Sequence, residues 1–458
     1  MVCRTGSIVS FFLFTGIVLL LCLIFIAIFR YKAIYLLFVW AFIQNFLLPF
    51  LFTTGNFSIY FVKSSIMFKE ILLLLLFLIS IYYFFFKKGI QLVPLPLLVL
   101  GVFTLYCLVR FFGDLVLNNI SISSNLRTLR MASFPFQIFT VGLVVALFFP
   151  NRSEKLIGFL VKGIGVLSIV GLILFFLPYE RFWHDFVNLA EYNVQVKGDE
   201  ISSVSEELGV SYSALGREFF QGIFPLRMIG TFGDPLAFGL ASVVPILVLF
   251  FQKNKNLLTF FLLTSLLIAL FLTFSRSAWL LLFISLSYIL FVRRRYFFLI
   301  AGVFCLSLVV GIIKPLREFF ISSVSSFSLG SVGDVEHAKG VIHFYTKALL
   351  NPGNILGSGI GQRVIPESGF GFLLEQFGIF ALIFFILFLV FLFLYIPKNA
   401  GNLNDNFLVS KGLILGSFVI LHFAEYPFSF VGYLPIWFLL GTATGAVFLN
   451  RMSSLKET

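Results

Sequence analysis

The chain has 458 residues, 60% hydrophobic and 19% aromatic, with 66 Phe and only 11% charged residues. No soluble domain covers that much apolar surface, so composition excludes a soluble enzyme or binding module and predicts an all-α polytopic integral membrane protein. The net charge of +12 does not point to nucleic acid, because the cytoplasmic loops of membrane proteins carry excess Lys and Arg.

Apolar segments of spanning length fall at 8–29, 33–52, 70–86, 92–112, 131–149, 155–178, 234–251, 257–275, 277–292, 297–313, 372–395, 408–424 and 430–449. That is 13 expected transmembrane helices, or 12 or 14 if one N-terminal assignment shifts and the N-terminus becomes cytoplasmic. The first stretch, Ile8 to Phe29, lacks a small-residue cleavage site and reads as a retained span. Region 1–178 holds the N-terminal helices and contributes little beyond span count. With 13 spans, Arg4 and the 113–130 connection with Arg127 and Arg130 face outward. The four cysteines, Cys3, Cys22, Cys107 and Cys305, lie in or beside apolar segments without metal-ligand spacing. They read as membrane-buried thiols, and no cofactor or metal is expected.

Orientation follows from the basic turns. Lys253 and Lys255, Arg293 to Arg295, Lys398 and Lys411, and Arg451 with Lys456 mark cytoplasmic ends and alternate correctly with the spans between them. Two long loops, 179–233 and 314–371, then face outward, as do the turn at Arg276 and the short turn from Glu425 to Ser429. The first loop carries Glu180, Asp185, Glu191, Asp199, Glu200, Glu206, Glu207 and Glu218 against Arg181, Lys197, Arg217 and Arg227, an acidity that suits an external position. Arg217 and Arg227 are its candidate substrate-holding cations. All four histidines, His184, His337, His343 and His422, fall on this outer side.

The loop ends in Leu-Arg227-Met-Ile-Gly-Thr-Phe-Gly-Asp234-Pro235. Asp followed by Pro predicts a helix N-cap with Pro at the first helical position. The free amides of that helix end favour anions. Region 234–313 follows. Within it Leu257 to Val292 is an apolar run of about 36 residues, which as one helix would be about 54 Å long against a hydrocarbon core of about 30 Å. The chain must turn inside it, and Ser275-Arg276-Ser277 is the polar break. Arg276 is then a permanent cation on a tight turn at one membrane face. Such a residue is either an interfacial Arg that snorkels to headgroups or a functional group. Arg227, the helix end and Arg276 together would form a cationic pocket, and Arg suits phosphate because its planar fork bonds two oxygens at once.

The second loop opens with a Ser-rich stretch, Ile321 to Ser331, followed by an expected amphipathic helix from Asp334 to Leu350 that stops at Asn351-Pro352-Gly353. His337 shares a face with Val341, Phe344 and Ala348, whereas His343 lies with Lys339 and Lys347, so the two do not form one metal site. His337 is a candidate general base, or else a solvated loop residue. Gly357-Ser-Gly-Ile-Gly361 reads as a tight turn back to the membrane, since it lacks the Lys-Ser/Thr of a P-loop. Glu367 then stands near the end of this loop, just before the final region, 372–458. It reads as a helix N-terminal acid, a partner for an Arg, or a ligand to a sugar hydroxyl. His422 and Glu425 face the same side.

These residues resemble a family. Arg227-x-x-Gly-Thr-Phe-Gly-Asp-Pro, Thr273-Phe-Ser-Arg-Ser-Ala, and the late loop with His337, Asn351-Pro, Gly357-Ser-Gly-Ile-Gly and Glu367-Ser-Gly occur in an order similar to that of the O-antigen ligases and O-antigen and capsular polysaccharide polymerases. The likeness covers roughly 225–380. It implies a metal-independent glycosyltransferase in the bacterial cytoplasmic membrane, its active site facing the periplasm or exterior. The implied donor is a glycan on undecaprenyl pyrophosphate. The acceptor is a sugar hydroxyl, on another lipid-linked repeat unit for a polymerase or on lipid A core for a ligase. The resemblance assigns Arg227 and Arg276 to the pyrophosphate and His337 to the acceptor. Glu367, Arg217 and His422 are candidate substrate contacts on the outward side. A chain-length regulator protein is an implied partner beside the bilayer. The ligase pattern often carries a His near Glu367-Ser368, which is absent here, and this favours polymerase. A lipid-linked oligosaccharide flippase is the alternative from another class, but it predicts internal repeats and midplane charges that the sequence does not display.

Overall fold

The computed structural model describes residues 2–55, 57–87, 93–117, 122–177, 192, 228, 230–232, 234–295, 297, 355–357, 368–397, 405–422 and 430–457. Every regular element among them is helical. Thirteen α-helices are described: α1 (Val2–Phe29), α2 (Ala33–Thr53), α3 (Ile59–Tyr82), α4 (Leu95–Leu117), α5 (Ile122–Phe148), α6 (Pro150–Phe176), α7 (Pro235–Phe251), α8 (Leu257–Leu272), α9 (Arg276–Val292), α10 (Gly369–Phe377), α11 (Ile379–Tyr395), α12 (Asn406–Ile420) and α13 (Phe430–Glu457). Among the described residues, six helical stretches are long and apolar enough to cross a membrane: Ala33–Thr53, Ile59–Phe86, Leu95–Val116, Thr128–Phe148, Pro150–Phe176 and Gly432–Ser454. Shorter apolar helices accompany them.

The surface supports a lipid environment. On α4, Leu98, Val102, Leu105, Val109, Phe112 and Val116 form an exposed apolar stripe at helical spacing, Val116 being 80% accessible. The opposite face of the same helix buries Thr104 and Asp114. Apolar outside and polar inside reverses the pattern of a soluble helix. Several buried hydroxyls are satisfied within their own helix: Thr104 donates to Leu100 O (2.9 Å), Ser80 to Leu76 O (2.8 Å) and Ser242 to Phe238 O (2.8 Å).

The chain forms two compact units. The first comprises 1–90, 140–217 and 224–275. Its helices begin where the sequence supplies caps. Ser58 accepts from Phe61 N at the start of α3, Asp234 from Leu236 N at α7, and Asn256 from Thr259 N at α8. In this unit α3 packs on α1 and α2, and α6, α7 and α8 pack together. Gly165 of α6 admits Leu262 of α8, whose Cδ2 would lie 3.1 Å from an added Cβ.

The second unit comprises 91–139, 218–223 and 276–458. Two antiparallel pairs build it. In one, Arg293 at the end of α9 pairs with Asp405 before α12, the Ser285 backbone meets Gly412, and Leu281 meets Gly416. A Cβ on Gly412 would lie 2.8 Å from Ser285 O, so the helices approach as closely as glycine allows. In the other pair, Phe103 of α4 meets Phe385 of α11, and Tyr106 meets Phe380 and Phe384. Trp437 of α13 is fully buried against Phe385 and Phe388.

Several expected boundaries move. The third segment starts at Ile59 instead of 70, because Ser58 caps it and the helix carries Lys69 on its buried side. The 113–130 connection is largely helical: α4 continues to Leu117 and α5 begins at Ile122. The expected span 372–395 is two helices, α10 and α11, broken at Gly378 with φ +84°. The expected span 297–313 lies outside the described residues apart from Phe297.

Candidate functional site

The long apolar run does turn, two residues earlier than its polar break suggested. Helix α8 has 16 residues and α9 has 17, about 24 and 25 Å long, each under the hydrocarbon thickness. The turn itself is Thr273-Phe274-Ser275, and Arg276 is the first residue of α9. Phe274 has φ +47°, a conformation that costs a non-glycine residue about 1–2 kcal/mol. Local bonds hold it there. The Thr273 hydroxyl donates to Leu270 O at 2.7 Å, the Phe274 amide donates to Phe271 O at 3.0 Å, and Ser275 N donates to the Thr273 hydroxyl at 3.3 Å. The Phe274 ring packs edge-on against Phe271. Thr273, Phe274 and Ser275 are buried, while Arg276 is half-buried. Arg276 thus stands at the first position of α9, the end at which a helix dipole carries its positive potential.

The Met228 amide donates to Leu272 O at 2.9 Å, so the strand of chain next to Arg227 is fastened to the last turn of α8. A short 3-10 turn, Gly230–Phe232, follows. Its Phe232 is fully buried, stacked on Phe42 and tilted against Phe238, and its carbonyl accepts from Asn45 Nδ2 at 2.6 Å. Asp234 then caps α7 and Pro235 occupies its first position, as the sequence predicted.

In the second unit, the register that pairs Arg293 with Asp405 and Leu281 with Gly416 sets Arg276 at the level of Leu421. His422 follows at once, half-buried, with the rings of Phe370 and Phe418 edge-on to it at 4.8 and 5.7 Å. Ser368 joins the same end. Its hydroxyl donates to Leu421 O at 3.1 Å and accepts from Gly371 N at 3.1 Å, capping α10. Arg276, His422 and the start of α10 therefore share one end of this unit. Arg217, Arg227, His337 and Glu367 lie outside the described residues, as do His184, His343 and the expected helix 334–350.

A polar cluster that the sequence reading missed lies where α10 meets α4. Tyr106, Arg110 and Asp114 recur every four residues on one face of α4. The Tyr106 hydroxyl donates to Phe377 O at 2.8 Å. Arg110 pairs with Asp114 at 3.0 Å and donates to Gly357 O at 3.4 Å. Asp114 is 0% exposed. Gly357 and Gly378 both have positive φ and their backbones touch: a Cβ on Gly378 would lie 2.3 Å from Ile355 O, and one on Gly357 would lie 2.7 Å from Glu375 O. An acid and a base four apart at the end of an apolar run were the available signal, but cutting the span at 112 left Asp114 in a loop.

Comparison with protein families, with curated proteins and with solved structures yields no significant match.

Proposed function

We propose that this protein is a bacterial envelope polysaccharide polymerase. It transfers a glycan from undecaprenyl pyrophosphate to a sugar hydroxyl of a second lipid-linked repeat unit, at the outer face of the cytoplasmic membrane. The observation that supports this most is local: Arg276 opens α9 directly after a strained, bond-locked turn, and the chain beside Arg227 is fastened to the helix that leads into that turn. Strain held in place by surrounding bonds is a mark of functional sites.

In this reading the acceptor oxygen bonds to the anomeric carbon as the bond from that carbon to the pyrophosphate oxygen breaks. The electron pair leaves with the pyrophosphate, and the acceptor proton passes to His337. Negative charge grows on the leaving group, and fixed guanidinium groups at Arg276 and Arg227 stabilise it most in a site shielded from water. A positioned base at the acceptor adds about 10²–10⁴-fold. Glu367, Arg217 and His422 take the role of substrate contacts.

The decisive experiment is a gel of surface and carrier-linked polysaccharide from a strain lacking the gene. The polymerase reading expects single repeat units there and full-length chains on complementation. Long polymer left on the carrier lipid would identify a ligase, and a normal ladder would sink both.

A further inference from the structure

Helix ends far apart in sequence meet at one end of the first unit. Tyr31, between α1 and α2, stacks on Phe149, which precedes α6, with ring centres 5.1 Å apart. Tyr83, just past α3, meets Phe148 edge-on at 5.7 Å. Arg152, in the first turn of α6, lays its guanidinium over the Tyr31 ring at 4.3 Å. Stacking on a ring face fixes this charge without using its hydrogen-bond donors. Arg152 is exposed, as are Lys32 beside Tyr31 and Lys155 one turn further along α6. These three bases stand against Glu154, which has contacts of its own, and leave the cluster positive.

The charge leads into an apolar track. Lys155, Phe159, Lys162, Val166, Val170 and Ile173 recur every three or four residues on α6 and all are exposed, so they share one face. The track is basic toward Arg152 and apolar beyond Lys162, whose long stem lets its ammonium reach back toward the same end. That order suits a molecule with an anionic head and an apolar body. A soluble anion would leave the apolar part uncovered. The 13-span expectation puts the turns at Tyr31 and Phe149 on the cytoplasmic side, where the leaflet carries anionic lipid. We propose that Lys32, Arg152 and Lys155 bind the headgroup phosphate of an anionic phospholipid whose chain lies along this face of α6. Arg152 bonds two phosphate oxygens with its fork, and Tyr31 positions it. The site depends on the membrane placement of the first unit and is independent of the glycosyltransferase reading.

The test uses the full chain in neutral detergent, titrated with phosphatidylglycerol, phosphatidylcholine or sodium phosphate, with the unfolding temperature as readout. Wild type is expected to be stabilised at lower concentrations of phosphatidylglycerol than of phosphatidylcholine, and not by phosphate. Arg152→Gln lowers that preference about fivefold, the effect of one base near an anionic leaflet. Tyr31→Leu keeps every charge but removes the ring, and lowers the preference as well, whereas Tyr31→Phe keeps it. Lys253→Gln removes one exposed charge from the turn between α7 and α8 and leaves the preference unchanged. Equal losses in Arg152→Gln and Lys253→Gln overturn the site, because diffuse surface charge then explains the binding. Stabilisation by phosphate equal to that by phosphatidylglycerol overturns it too, as does a wild type without preference. A preference lost only in variants that also unfold earlier without lipid overturns it as well, since Arg152 and Tyr31 then merely hold the helix ends together.

Discussion

The Met228 amide and the Leu272 carbonyl are 2.9 Å apart, and that single bond ties two stretches separated by the whole of α7 and α8. It holds the chain immediately after Arg227 at the end of the helix that turns into Arg276. Met228→Pro removes the donor and also drives residue 227 away from helical backbone angles. Loss of polymer is expected, with protein still present in the membrane. Met228→Leu keeps the amide and is expected to support full-length chains. Polysaccharide gels beside immunoblots of the membrane fraction check both.

Arg276→Lys keeps the charge but loses the planar fork that bonds two phosphate oxygens. Removing one preorganised donor to developing charge typically costs about 10²–10³-fold in rate. Polymer chains are expected to collapse to single repeat units. Full-length chains from Arg276→Lys would exclude a bidentate role.

Gly378→Ala is expected to destabilise the second unit by about 1–3 kcal/mol or more. The position has φ +84° and no room for a Cβ, which would sit 2.3 Å from Ile355 O. Gly158→Ala is the control: it meets open space on α6 and is expected to gain about 0.5–1 kcal/mol from helix propensity. Thermal unfolding of the purified variants measures the contrast.

Asp114→Ala strips a buried guanidinium of its carboxylate and is expected to cost about 3–5 kcal/mol. Replacing the pair together, as Arg110→Leu with Asp114→Leu, is expected to restore much of that stability, because no uncompensated charge is left buried. A double variant as unstable as the single one would show that other contacts of these residues dominate.

The helical, membrane-suited class, the turn in the Leu257 to Val292 run and the Asp234-Pro235 helix start were legible in the sequence. Each depends on composition or on residues within a few positions of one another. The position of Arg276 was legible only approximately. Its polar neighbours suggested that it sits in the turn, whereas the turn is closed by the Thr273 hydroxyl around Phe274, and Arg276 begins the next helix. His422 was legible as a residue at the end of its apolar segment, but its meeting with Phe370 depends on Ser368 bonding to Leu421, 53 residues away. Of the α4 cluster, the sequence carried the spacing of Arg110 and Asp114 but not the partners. Tyr106 finds Phe377 across 271 residues and Arg110 finds Gly357 across 247. Local patterning reports which face of a helix is apolar. Which distant backbone that face meets is decided by packing in three dimensions, where two glycines without side chains let the carbonyls come within reach.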